Sequence, residues 1–343
     1  MDKYVIFAVA GSGKTQYIIN SLTVSSKALL ITYTENGYEN LFSRVIEKFG
    51  FVPDGVRIYT YFGFLYNFCF KPLLAYQYPK IKGINFEYSP KRSILESNDL
   101  HYITDNLLIS NRVAKLLMRK CSEEIVERIN LFFEEVYVDE VQDFSSHDFD
   151  ILGILAKLEG KVILLGDFYQ HTFDTSRDGN KRKNLHDDID NYQREFEKYN
   201  YQLDVDTLSK SHRCPVAVCN FVQSRLGIHI ESMHQCQGFK FETISDKHCI
   251  KRILEDNQII KLFYQNSHKY NLNAQNWGGS KGVDKYYDIC VVVNKKIWKE
   301  ITNGNSLTLV PLTRNKLYVA CTRARGNVYI ICDENTKPYK KVY

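Results

Sequence analysis

The sequence has no paired cysteine motif. Its nine cysteines are scattered, their number is odd, and none forms a Cys-x-x-Cys pair. This pattern excludes a disulfide framework and indicates reduced thiols, as expected of a cytoplasmic protein. Six cysteines and histidines in one region leave a zinc site as an alternative, although their spacing matches no zinc-finger pattern. They are Cys214, Cys219, His234, Cys236, His248 and Cys249.

Long apolar runs, low-complexity tracts and internal repeats are also absent. No stretch is long and apolar enough to span a bilayer, and the N-terminus begins a strand pattern, not a signal peptide. We therefore expect a cytoplasmic protein without a membrane partner. The net charge is only +5, so any nucleic-acid surface must be a local cluster. A length of 343 residues with 44% apolar residues predicts two ordinary globular domains.

A phosphate-binding loop lies near the start of the chain, in the stretch AVAGSGKT from Ala8 to Thr15. A strand pattern precedes it and a helical pattern follows. Its glycines let backbone N–H groups surround an anion, and the helix directs its positive end at the same phosphates. Lys14 can reach the β- and γ-phosphates, and the Thr15 hydroxyl can bind Mg²⁺. The predicted nucleotide-binding residues of the loop are Ala10, Gly11, Ser12, Gly13, Lys14 and Thr15.

Short apolar runs alternate with helical patterns through much of the chain. Such runs are typical of parallel strands that are buried on both faces. The predicted strands are KALLITY (27–33), VRIYT (56–60), EEVYVDE (134–140), KVILLGD (161–167), KFETI (240–244), DICVVV (288–293) and NVYIIC (327–332). The alternation predicts an α/β fold with doubly wound parallel sheets, in which ligands bind at the carboxyl ends of the strands.

Two acidic residues end the third strong strand, in VDEVQD (138–143). Adjacent carboxylates at a strand end are unfavourable unless a cation lies between them and the phosphates. We predict that Asp139 holds Mg²⁺ and that Glu140 orients and deprotonates the attacking water. An ordinary acidic turn is the alternative. At the end of the next strand, Gln170 can sense the γ-phosphate or position water.

Two arginines are candidates for stabilising the charge that develops in phosphoryl transfer. Arg213 precedes a proline in SHRCP, and Arg323 lies in YVACTRAR, on a predicted helix. A surface salt bridge is the alternative for either residue alone. Together with the phosphate loop and the acidic pair, both are predicted to be arginine fingers.

The motifs, in this order, resemble those of superfamily 1 helicases of the UvrD/Rep type. The matching stretches are AVAGSGKT, TYTENGYENL, TYFGFL, VDEVQD, GDFYQ, SHRCP, GGSKGVDKYYD and KLYVACTRAR, and they extend from Ala8 to Arg325. The resemblance implies two RecA-like domains, 1–203 and 204–343, with ATP and Mg²⁺ bound in a cleft between them. It also implies ATP hydrolysis and 3′→5′ movement along single-stranded DNA, with RNA as an alternative.

The resemblance also assigns further site residues. His212, Gly282 and Asp284 match nucleotide-site positions, and Thr34, Tyr61 and Phe62 match positions near the nucleic-acid strand. Phe173 lies close to Thr175, which stands where relatives often have a tryptophan that stacks on DNA.

The chain departs from the family pattern at the nucleotide base and in the insertions. Only seven residues precede Ala8, so the upstream glutamine that reads adenine is missing, and His212 replaces a tyrosine that stacks on the base. We expect loose nucleotide selectivity. The insertions are reduced to a short helical segment at about 71–120 and a remnant at about 216–276, which predicts weak unwinding. The alternative function is an NTP-dependent switch subunit that regulates a partner such as a nuclease, as in phage-defence systems of the Gabija type.

Overall fold

The computed structural model describes residues 2–87, 98–173, 178, 180–234, 238–283 and 285–341. The chain forms two compact units. Unit 1 comprises Met1–Ile6, Lys14–Gly166 and Asp174–Asp204, and unit 2 comprises Phe7–Gly13, Asp167–Phe173 and Val205–Tyr343. Two short loops from the first half of the sequence, 7–13 and 167–173, are therefore described with unit 2.

A six-stranded parallel sheet forms the centre of unit 1. The strands of the unit are β1 (Lys3–Phe7), β2 (Ala28–Thr32), β3 (Val56–Thr60), β4 (Gly83–Asn85), β5 (Ile103–Thr104), β6 (Leu107–Ile109), β7 (Glu135–Asp139), β8 (Lys161–Gly166) and β9 (Gln202–Asp204). The order across the main sheet is β3-β2-β7-β8-β1-β9. Its register pairs Thr32 with Thr60 on one side and with Asp139 on the other, so these three strands end level with one another.

Helices connect the strands of unit 1. They are α1 (Lys14–Ser21), α2 (Glu35–Phe49), α3 (Tyr61–Gly63), α4 (Lys71–Leu74), α5 (Ser110–Phe132), α6 (Asp148–Leu155) and α7 (Ile189–Glu197). Along the chain, successive strands from β1 to β3 lie progressively closer to one edge of the sheet, and those from β7 to β9 lie progressively closer to the opposite edge. Because such crossovers are right-handed, α1 and α2 lie on one face and α5 to α7 on the opposite face. The direction reverses between β1 and β8, where open α/β sheets bind ligands at the strand ends.

The predicted helical insertion at about 71–120 has a mixed structure in its described part. A short helix, α4, is followed by a three-stranded sheet of order β4-β6-β5, and then by the start of α5. The strands of this sheet have only two or three residues each. Runs this short carry too little periodicity to be predicted from sequence.

Unit 2 contains a five-stranded parallel sheet of order β12-β16-β15-β13-β14. The strands of the unit are β10 (Lys210–Ser211), β11 (Glu231–Ser232), β12 (Phe241–Thr243), β13 (Ile260–Phe263), β14 (Ala274–Asn276), β15 (Ile289–Val293) and β16 (Val328–Cys332). Its helices are α8 (Val216–Phe221), α9 (Lys247–Glu255), α10 (Lys295–Thr302) and α11 (Pro311–Cys321). In this sheet too the direction of strand addition reverses: β12, β13 and β14 run towards one edge, and β15 and β16 are then placed between β13 and β12.

Short helical turns complete both units. The 3₁₀ turns are Asp99–His101, Val141–Asp143, Phe168–Gln170, Ser267–Lys269, Gly278–Ser280 and Asp333–Tyr339, and the π-helical turns are Phe64–Phe70 and Val222–Leu226.

The predicted fold class is confirmed, as two RecA-like units with doubly wound parallel sheets. All seven predicted strands are present, within two residues of their predicted ends. The sequence does not predict β13, although its four residues are all buried. This strand is short and contains Lys261, whose ammonium group donates to the carbonyl oxygen of Asp256. Because a lysine interrupts this four-residue run, the sequence does not show the continuous apolar pattern that identifies a core strand.

Candidate functional site

The phosphate loop after β1 packs closely against the segment that precedes α8. Gly11 has a φ of +71°, and a β-carbon added there would lie 2.5 Å from Cβ of Arg213 and 2.9 Å from Oγ of Ser211. The backbone N–H of His212 donates to the carbonyl oxygen of Gly11 at 2.9 Å. Glycine is therefore required by the backbone conformation and also by this close approach. Arg213 therefore lies beside the loop.

The loop conformation suits an anion. Gly11 and Gly13 have φ values of 71° and 90°, which turn the intervening backbone in the manner of anion-binding nests. The hydroxyl of Ser12 is buried and, among the described residues, has no hydrogen-bond partner. The backbone N–H of Ala10, by contrast, donates to the Tyr318 hydroxyl at 2.8 Å. The prediction for Ala10 is therefore revised, because its amide already has an acceptor inside the protein.

In unit 1, α1 begins beside the end of β7. The Thr15 hydroxyl donates to Oδ2 of Asp139 at 3.1 Å. Burial of this carboxyl and the neighbouring charge of Glu140 raise its pKa to about 6, while the ammonium group of Lys14 acts in the opposite direction. A hydroxyl beside a carboxylate that is poorly solvated is the hard oxygen donor set that Mg²⁺ prefers. The residues present therefore fit a magnesium ion.

Glu140 follows β7 in a left-handed backbone conformation, with φ 57° and ψ 43°. Its backbone N–H donates to Oδ1 of Asp139 at 2.9 Å, and the side-chain amide of Gln142 donates to its carboxylate. Gly166 at the end of β8 makes room for this turn, because a β-carbon there would lie 2.6 Å from both Val141 and Gln142. A non-glycine residue in this conformation is strained, and such strain is concentrated at functional sites.

A buried carboxylate organises the turn after β8 in unit 2. Oδ2 of Asp167 accepts a hydrogen bond from Nε2 of Gln170 at 2.9 Å and another from the Tyr318 hydroxyl at 2.8 Å. Its Oδ1 accepts the backbone N–H of Tyr169 at 3.1 Å. Gln170, the predicted γ-phosphate sensor, is therefore held in one orientation.

The two predicted arginine fingers lie near each other in unit 2. Arg213 donates to the carbonyl oxygen of Thr322 at 3.3 Å, and Nε of Arg323 donates to the carbonyl oxygen of Val319 at 3.1 Å. Arg323 is only 2% exposed, which excludes a surface salt bridge for it. It does not lie on a helix as predicted, because α11 ends at Cys321 and Arg323 follows in the turn. Burying a guanidinium in a turn is costly, which favours a functional reason for its presence.

The remaining predicted nucleotide residues have different surroundings. His212 is exposed, and its carbonyl oxygen lies 2.7 Å from Nε2 of His234. Gly282 is exposed with a φ of +77°, and no atom of the described residues lies within 4 Å of where a β-carbon would be placed. Asp284 and Thr175 lie outside the described residues.

The residues predicted to contact nucleic acid divide into buried and exposed side chains. Tyr61 is fully buried, and its hydroxyl donates to Oδ1 of Asp148 at 2.9 Å. Its ring therefore offers no face to a base, and we reassign it to the core. The Thr34 hydroxyl accepts the backbone N–H of Gly37 at 3.1 Å and caps α2. Phe62 is partly exposed and Phe173 is 48% exposed, so both remain available.

Sequence reasoning missed three residues that the structure places at these sites. Phe86, which is 62% exposed, packs edge-on against Phe62 with ring centroids 4.9 Å apart. Asp148 accepts hydrogen bonds from the hydroxyls of Tyr33 and Tyr61. Tyr318 lies within the quoted stretch KLYVACTRAR, but no local pattern indicates where its hydroxyl points.

The alternative of a zinc site concerns cysteines and histidines of which Cys236 lies outside the described residues. Among the described residues, no group of three or more histidine, cysteine or acidic side chains is arranged to hold a metal ion. Within the same residues, every helix is too short or too polar to cross a membrane.

No protein-family model matches the chain, and no curated protein matches its sequence. Among solved structures, the chain is similar to the arterivirus nonstructural protein 10 helicase. In the complex of that helicase with DNA, the identity is 15%, the match covers 96% of this chain and 60% of the helicase chain, and the TM-score is 0.48. For the crystal structure of the same helicase, the values are 14%, 97%, 62% and 0.49. This chain spans about three fifths of the length of those chains.

Proposed function

We propose that this chain is a helicase-like motor that hydrolyses ATP and moves 3′→5′ along single-stranded DNA or RNA. The observation that carries the proposal is the hydrogen bond between Thr15 and Asp139, with Glu140 held beside it in a strained turn. A phosphate loop and an acidic strand end joined in this way match the parts that phosphoryl transfer to water requires.

Each residue has a proposed role. Thr15 and Asp139 would hold Mg²⁺, which supplies positive charge beside the phosphates when it is bound. The backbone of Gly11 to Gly13 and the ammonium group of Lys14 bind the phosphate oxygens. Glu140 takes a proton from the attacking water and orients it.

Other residues act on the transition state and the strand. Gln170 positions the water or the γ-phosphate, and Arg213 and Arg323 stabilise the negative charge that develops during transfer. Phe62 and Phe173 stack on bases of the strand, which is why their exposure matters. His212 reads the base only weakly, so GTP and dATP are turned over at rates within about tenfold of ATP, which is ~1.4 kcal/mol of discrimination.

The test is ATP hydrolysis by purified protein, with and without single-stranded DNA or RNA. Glu140→Gln should bind Mg·ATP and lose nearly all turnover, whereas Lys14→Ala should lose binding as well. Glu47→Gln, the same change at an exposed position of α2, is the matched control and should keep full turnover. Near wild-type turnover by Glu140→Gln would overturn the proposal.

Stimulation of ATP hydrolysis by single strands separates the motor from the switch, and strand displacement on a 3′-tailed duplex measures unwinding. We expect stimulation of hydrolysis by single strands together with weak unwinding by the chain alone. Hydrolysis that no nucleic acid stimulates would favour the alternative, a switch subunit that regulates a partner such as a nuclease.

A further inference from the structure

Tyr318 joins three segments of unit 2 through a single oxygen atom. Its hydroxyl oxygen accepts the backbone N–H of Ala10 at 2.8 Å and lies 2.8 Å from Oδ2 of Asp167. The same Oδ2 accepts Nε2 of Gln170 at 2.9 Å. The phosphate loop, the turn after β8 and helix α11 are thus linked by a continuous series of hydrogen bonds. All four residues are buried.

The direction of each hydrogen bond follows from the chemistry of the groups. A backbone amide can only donate, so the Tyr318 oxygen accepts from Ala10 and gives its single proton to the Asp167 carboxylate. Burial, with the charge of Asp167 as a further cause, raises the pKa of Tyr318 well above its usual value, so the phenol keeps its proton at physiological pH.

The acceptor at Asp167 also fixes the amide of Gln170. A carboxylate can only accept, so the NH₂ end of the Gln170 amide faces Asp167, and Oε1 is directed away from it. The carbonyl oxygen is the end of the amide that can accept a hydrogen bond from an attacking water and so orient it. Without the tyrosine hydroxyl, the Asp167 carboxylate loses one hydrogen-bond donor and is held less firmly in the orientation that binds Gln170.

We propose that Tyr318 is a positioning residue for ATP hydrolysis, which fixes the phosphate loop at Ala10 and, through Asp167, the orientation of Gln170. The inference rests on the proposed function. Helix α11 is thereby linked to two groups that are proposed to act at the γ-phosphate. Tyr318 on the helix connects to Gln170 through Asp167, and Arg323 follows the end of the helix by two residues. Tyr318 acts through Asp167 and Gln170.

The test begins with Tyr318→Phe, which keeps the ring and removes only the hydroxyl. We expect kcat for ATP to fall about 10- to 100-fold, as small displacements of catalytic groups do, with less change in KM. Tyr201→Phe is the matched control, since Tyr201 is also buried and donates to the carbonyl oxygen of Leu152 at 2.8 Å. It should show a similar loss of thermal stability with kcat unchanged.

A double-mutant cycle separates positioning from a general loss of structure. If Tyr318 acts through Gln170, Tyr318→Phe should lower kcat much less in a Gln170→Ala background than in the wild type. Independent, multiplicative effects of the two changes would overturn the proposal, as would wild-type kcat in Tyr318→Phe. Should Tyr318→Phe not fold, Asp167→Asn replaces it in the same cycle, with the same expectation. A wild-type chain that does not hydrolyse ATP would refute the proposed function itself, which is a distinguishable outcome.

Discussion

Tyr61 donates a hydrogen bond to Oδ1 of Asp148 at 2.9 Å, and the ring of Tyr61 is completely buried. Tyr33 donates to Oδ2 of the same carboxylate at 3.0 Å, and its ring stacks on that of Tyr61 with centroids 5.3 Å apart. Two tyrosines at the ends of adjacent strands thus hold the first residue of α6. The position that the family pattern assigns to nucleic acid is a structural one in this chain.

Removing the Tyr61 hydroxyl should therefore destabilise the protein without weakening strand binding. Tyr61→Phe takes one of two tyrosine donors from a buried carboxylate, and a hydrogen bond to a charged group contributes about 1.5–3 kcal/mol. We expect a lower urea midpoint and unchanged affinity for single-stranded DNA in a fluorescence anisotropy titration. Tyr76→Phe, at an exposed tyrosine, should change neither. A large loss of affinity in Tyr61→Phe would contradict this assignment.

Phe62 should contribute directly to strand binding. Its ring is partly exposed and is supported by Phe86, and stacking on a base is worth ~1–3 kcal/mol. Phe62→Ala should therefore weaken binding to single-stranded DNA about 5- to 150-fold in the same titration. Phe51→Ala, at a phenylalanine that is 51% exposed outside this aromatic group, serves as the control. Equal effects of the two changes would show that exposure alone explains them.

Metal binding at Asp139 should depend on pH in the range around its raised pKa. Because burial raises this pKa to about 6 in the metal-free protein, only about a tenth of the carboxyl is ionised at pH 5 and about nine tenths at pH 7. Mn²⁺ affinity, measured by electron paramagnetic resonance, should therefore rise about tenfold between these values. Asp139→Asn should bind Mn²⁺ weakly at both, and an unchanged pH dependence in this variant would exclude Asp139 as the ligand.

The same pKa fixes the sign of a stability effect. A carboxyl whose folded-state pKa is raised binds more protons in the folded than in the unfolded state between the two pKa values. Its contribution to stability is therefore present at low pH and is lost as the pH rises from about 4 through about 6. Compared with Asp139→Asn, the metal-free wild type should lose thermal stability over this interval. Groups shared by both proteins cancel in the comparison.

Two glycines with positive φ provide a matched pair for the phosphate loop. Gly11→Ala must place its β-carbon 2.5 Å from Arg213, whereas Gly50, with a φ of +80°, has no described atom within 4 Å of such a carbon. Both changes carry the ~1–2 kcal/mol cost of a left-handed alanine. We expect Gly50→Ala to retain ATP turnover with a modest loss of stability, and Gly11→Ala to lose turnover. Retention of wild-type turnover by Gly11→Ala would mean that the loop does not bind phosphate in this conformation.

The sequence by itself determines most strands of the two main sheets, their parallel arrangement and the position of the phosphate loop. KALLITY and DICVVV are continuous apolar runs because their strands are buried on both faces, so the information is local and can be read along the chain. The same holds for Lys14, Thr15 and Asp139, because residue type and strand position together define their chemistry. The need for glycine at Gly11 and Gly13 can also be read from the local sequence, since their positive φ follows from the turn itself.

Only the tertiary structure decides which polar groups meet. Lys181 and Arg182 are neighbours in the sequence, and both pair with the carboxylate of Asp150. Although burial acts in the opposite direction, hydrogen bonds from His147, Lys181 and Arg182 hold the pKa of Asp150 well below its usual range. Ala10 and Tyr318 are 308 positions apart and share a hydrogen bond. A hydrogen bond requires a donor and an acceptor within about 3 Å of each other. Between distant segments, packing sets this distance, and the periodicity of the sequence gives no information about it. Burial of Tyr61 and of Arg323 was decided in the same way, by the elements that close around them.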